Sequence, residues 1–74
     1  MLLRESIKSI GVITDNDHRI LENLVSYGED MSGSKYNPGS ILKCVSNGFD
    51  KKELKGNKSH WMMLLSIAAF NCNR

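Results

Sequence analysis

Few residues in this chain are of the types that make or break bonds, and their spacing decides what chemistry is open to them. Cys44 and Cys72 are the thiols, and His18 and His60 the imidazoles. Together they would make a four-ligand zinc set. Structural zinc sites draw their ligands from closely spaced pairs, however, and no two of these four residues are near neighbours in sequence. No metal is expected. A cysteine or serine nucleophile needs a base within hydrogen-bond reach and a third group that orients the base. Cys44 with His18 or His60 supplies two of these parts, in a chain with little room for a substrate cleft besides a core. The residues therefore favour no enzyme and imply no cofactor.

The segment from Gly28 to Lys35 reads Gly-Glu-Asp-Met-Ser-Gly-Ser-Lys. A phosphate-binding loop needs glycine, four residues, then Gly-Lys-Ser or Gly-Lys-Thr, and it follows a strand. Here the last pair is inverted, so the lysine and the hydroxyl exchange places relative to the phosphates and magnesium. The periodicity upstream is also that of a helix. Asn57-Lys58-Ser59 fits the glycosylation sequon, but the match is short and has meaning only for an exported chain.

A third feature is a run of lysines. Lys51, Lys52, Lys55 and Lys58 fall close together, flanked by Lys43 and His60. Such a patch can neutralise phosphates, although no arginine accompanies it to read base edges. The charge is also unevenly distributed along the chain. Residues 1–37 hold four basic and six acidic groups, whereas residues 38–74 hold six basic and two acidic ones. These lysines are either a solvated face or candidate phosphate contacts.

The elements that would position these groups are helical. Leu2, Leu3, Ile7 and Ile10 recur at helical spacing before Gly11, which predicts a first helix over 2–10. Thr14 can cap a second helix, with Asp15 and Asp17 placed favourably against its N-terminal dipole. Ile20, Leu21, Leu24 and Val25 form its apolar stripe, and Gly28 begins to break the pattern, so this helix is expected over 15–29. Turn-forming residues dominate 31–39. Asn37 and Pro38 then suit the cap and first turn of a third helix, with Ile41, Leu42 and Val45 as its face and Asn47-Gly48 as its end. A short fourth helix is expected from Asp50 to Leu54, closed by Gly56. A fifth, capped by Ser59, should run to about Phe70.

The last of these is the most informative. From Trp61 to Phe70 it carries no charge and is apolar on every side. Trp61, Leu64, Leu65, Ala68 and Ala69 share one stripe, and Met62, Met63, Ile67 and Phe70 fill much of the remainder. The run is too short for a membrane span, which needs about 18 residues. Such a helix is either central, with the others around it, or it turns one side outward as an association surface. Trp61, Met62, Met63, Ile67 and Phe70 are then the candidate partner-binding residues, because Met and aromatic side chains suit adaptable interfaces.

The fold class that follows is all-α: a compact bundle of four to five short helices, with no sheet, in one domain over 1–74. With 74 residues, folding buries only about 60% of the surface exposed by the unfolded chain, so a partner would add materially to stability. The start, Met1 to Arg4, lacks the apolar run of a signal peptide, and two cysteines are too few for a disulfide scaffold. A cytoplasmic protein with reduced thiols is expected, Cys44 as a small core residue and Cys72 in a fraying tail, with both histidines solvated. The leading function is a small non-enzymatic regulatory or inhibitor-type protein that binds another protein or itself, dimerising through the C-terminal helix. The alternative is a small helix-turn-helix-like DNA-binding regulator that presents Lys43, Lys51, Lys52, Lys55, Lys58 and His60 to phosphates.

Overall fold

Backbone amides freed at a helix start need acceptors, and a side chain supplies one at three of the four helix starts among the described residues. A computed structural model describes residues 2–11, 13–52, 54 and 56–72. Among these residues there are four helices, α1 (Leu3–Lys8), α2 (Asp15–Ser32), α3 (Pro38–Asp50) and α4 (Lys58–Cys72), and no strand. The fold is an all-α bundle.

At the start of α2, Thr14 Oγ1 accepts from the Asp17 amide at 3.1 Å. At α3, Asn37 Oδ1 accepts from the Ser40 amide at 3.2 Å, and Pro38 occupies the first turn, where its missing N–H is no loss. Both starts agree with the sequence reading. The start of α4 does not. Asn57, not Ser59, caps it: Asn57 Oδ1 accepts from the His60 amide at 3.1 Å, and its carbonyl accepts from the Trp61 amide at 3.0 Å.

The other differences lie at helix ends, and each has a local cause. α1 stops at Lys8 because Ser9 turns back, its amide and hydroxyl both donating to the Ser6 carbonyl at 3.1 and 2.7 Å. α2 continues past Gly28 to Ser32 and is closed by Gly33 at φ +69°, whose amide donates to the Glu29 carbonyl at 2.9 Å. α3 continues past Asn47-Gly48 to Asp50. The expected short helix from Asp50 to Leu54 is absent among the described residues: Asp50 ends α3, and Lys51 and Lys52 form a turn. Glu53 and Lys55 lie outside the described residues.

The helices form a closed ring. α1 packs on α2, α2 on α3, α3 on α4, and α4 returns to α1. In the middle lie Leu3, Ile7, Leu21, Leu24, Val25, Ile41, Val45, Phe49, Leu64, Leu65, Ala68 and Ala69. The tightest seam is between α2 and α3. Gly28 lies against Ile41 and Val45, and the Tyr27 ring covers Gly48. Both glycines thus sit inside helices because the neighbouring helix occupies the space a β-carbon would take, which is why they do not end them. A buried hydroxyl joins α1 to α4: Ser6 Oγ donates to the Ala68 carbonyl at 2.6 Å.

Candidate protein-interaction surface

A ring of four helices leaves each helix at a corner, with two neighbours and an outer side. α2 and α3 meet water there with polar residues, including Asp15, Asn16, Arg19 and Asn23 on α2 and Lys43, Asn47 and Asp50 on α3. α4 has no formal charge from Ser59 to Cys72, so its outer side is uncharged whichever way the helix is turned.

Its rotation is set by what the ring needs. Leu64, Leu65, Ala68 and Ala69 face inward, and Ala68 brings its carbonyl to Ser6. At about 100° per residue this sends positions 63, 67 and 70 to the opposite side. Met63 is 54% exposed, Ile67 44% and Phe70 63%. Ser59, His60 and Ser66 are also exposed and flank this stripe. Trp61 and Met62 differ from the other three candidates, since both are half-buried and pack on the core. The Trp61 indole edge lies over Gly56, where an added β-carbon would stand 2.9 Å from Nε1, and its ring meets that of His60 edge-on at 4.8 Å.

Lys43 is exposed on α3, and Lys51 and Lys52 are exposed in the turn after it, with Lys52 at φ +60°. Lys58 is engaged, its Nζ donating to Asp50 Oδ1 at 2.6 Å. That pair joins the acidic end of α3 to the basic start of α4, offsetting the unfavourable placement of each charge against its own helix dipole. Lys55, the remaining candidate, lies outside the described residues.

The thiols and imidazoles are scattered. Cys44 is half-buried beside Val45 and lines a cleft of about 220 Å³ with Tyr27, Met31, Asn47 and Lys51, so it is not the core residue expected of it. Cys72 closes α4 and packs on the core instead of fraying. His60 is exposed as expected, whereas His18 is half-buried and its Nδ1 is buried without a hydrogen-bond partner among the described residues. Among the described residues no three of His, Cys, Asp and Glu gather as metal ligands, and no helix is long and apolar enough to cross a membrane.

Sequence reading overlooked Ser6 and Asn57. Ser6 lies within an apolar stripe, where a small polar residue implies a buried partner. The signal for Asn57 was its place ahead of an uncharged helical run, which Ser59 shares. No protein-family model matches this chain, and no curated protein or solved structure is similar to it.

Proposed function

We propose that this chain is a small, non-enzymatic regulatory protein that works by docking through the outer side of α4, and that its occupant is a second copy of the chain. The observation that carries this reading is the exposure of Met63, Ile67 and Phe70 on one side of a helix with no charge from Ser59 to Cys72. Single exposed apolar residues are ordinary, but three on one helix side, spaced four and three apart, make a continuous stripe that water solvates poorly.

The lack of charge favours self-pairing. Near a twofold axis each residue meets its own copy, which is costly for a charged helix and free of that cost here. Ser66, exposed beside the stripe, is small enough to let two helices approach closely. The gain scales with apolar area, at about 25 cal/mol per Å² removed from water.

Light scattering across a dilution series, at low and high salt, tests the reading. A dimer that survives high salt supports it, because apolar association is not screened. A mass equal to the monomer at every concentration overturns it. The DNA-binding reading has weaker support, since Lys58 is paired with Asp50 and Lys51 and Lys52 form a turn. A duplex affinity that falls steeply with salt would favour it instead.

A further inference from the structure

A cleft of about 320 Å³ opens where the start of α1 meets the end of α2 and the loop before α3. Leu2 and the Tyr36 ring supply its accessible apolar surface, over a floor of the buried Leu3 and Val25, and Arg4, Glu29 and Lys35 its charged side. Its size falls at the lower end of the range for small-molecule sites, about 300–1,000 Å³.

The polar groups are arranged unequally. Arg4 Nε donates to Glu29 Oε1 at 3.1 Å, and its Nη2 donates to Ser26 Oγ. These bonds hold the guanidinium in place and pair the Glu29 carboxylate through Oε1, on a side chain only 13% exposed. The second terminal nitrogen of Arg4 has no partner among the described residues, and neither does the Lys35 ammonium. Two cations therefore line the cleft against one carboxylate that is already paired. Tyr36, 81% exposed, stands at the rim.

We infer that this cleft binds a small organic monocarboxylate with an aromatic or branched apolar body. The carboxylate lies toward Arg4 and Lys35, which carry the net positive charge of the lining. The body lies between Leu2 and the Tyr36 ring, over the buried Leu3 and Val25. The site is separate from the α4 stripe, so it stands or falls independently of dimerisation.

The test is a titration of the full chain with phenylacetate, followed by amide chemical shifts, alongside its neutral counterpart phenylacetamide. Phenylacetate is expected to shift Leu2, Val25 and Tyr36. The amide, which lacks the charge, should bind roughly tenfold more weakly or worse, and so should phenylacetate to Lys35→Glu. Lys35 is exposed in a loop, so this variant keeps the fold. Absence of shifts up to the solubility of the probe, shifts confined to Met63, Ile67 and Phe70, equal binding of acid and amide, or unchanged affinity in Lys35→Glu would each overturn the inference.

Discussion

A β-carbon on Gly28 would stand 2.6 Å from Ile41 Cγ2 and 2.7 Å from the Ile41 carbonyl oxygen. The first neighbour is a side chain and could turn aside. The second is backbone within α3, so only a shift of one helix against the other would relieve it. Gly28→Ala should therefore destabilise the chain by about 1–3 kcal/mol through overpacking. Gly11, which has nothing within 4 Å of an added β-carbon, is the control. Gly11→Ala should be neutral or stabilising by up to about 1 kcal/mol, because alanine restricts the unfolded chain. Urea denaturation of both variants checks the contrast, and equal midpoints would refute it.

The start of α4 separates the cap found from the one expected. Asn57 accepts from the His60 amide at 3.1 Å, while Ser59 lies already inside the helix. Asn57→Ala should cost about 1 kcal/mol, and Ser59→Ala should stay within about 0.5 kcal/mol. Thermal unfolding of the pair decides between them, and the reverse order would return the cap to Ser59.

How much of this was legible beforehand follows from the range of each interaction. Thr14 and Asn37 each accept from the amide three residues on, and Pro38 acts through its own missing N–H, so their roles can be read from adjacent residues. Gly28 and Gly48 looked like helix breakers for the same reason: locally, glycine weakens a helix. Their actual role depends on Ile41 and Tyr27, which arrive from another helix. The side of α4 that faces outward was equally hidden. A helix apolar all round has no polar side to mark the exterior, and its rotation is fixed by the ring and by Ser6 beneath the Ala68 carbonyl.

That hydroxyl is itself testable. Ser6 is fully buried and its Oγ lies 2.6 Å from the Ala68 oxygen. Ser6→Ala removes the bond and leaves no unpaired donor behind, so the loss should be about 1 kcal/mol. Ser6→Val should cost more, because it also adds volume to a filled site. Chemical denaturation that ranks valine at or above alanine would show that the site is not tight, and an alanine variant as stable as the parent would show that the hydroxyl contributes nothing.

Lys52 is the one non-glycine with positive φ among the described residues, at +60°. The left-handed region costs an ordinary residue about 1–2 kcal/mol, and glycine escapes that cost while losing some of the gain to its freer unfolded chain. Lys52→Gly should therefore raise stability by up to about 1 kcal/mol, whereas Lys52→Ala keeps the strain and should leave it unchanged. A lower unfolding midpoint for the glycine variant would contradict this backbone geometry.

The α4 stripe makes the prediction on which the proposed function depends. Met63 and Ile67 are exposed in the isolated bundle, so charging them should leave the monomer folded and act only on association. In Met63→Glu/Ile67→Glu, two copies would set four carboxylates against each other in a water-poor contact, a repulsion that apolar burial cannot offset. The expected result is a monomer by light scattering, with helical circular dichroism intact and a melting temperature that no longer rises with concentration. Leu65, fully buried on the opposite side, provides the comparison: Leu65→Ala should lose about 2–5 kcal/mol at any concentration. If the double variant instead unfolds as Leu65→Ala does, Met63 and Ile67 belong to the core and α4 has no free side. If it remains dimeric, the contact lies elsewhere on the chain.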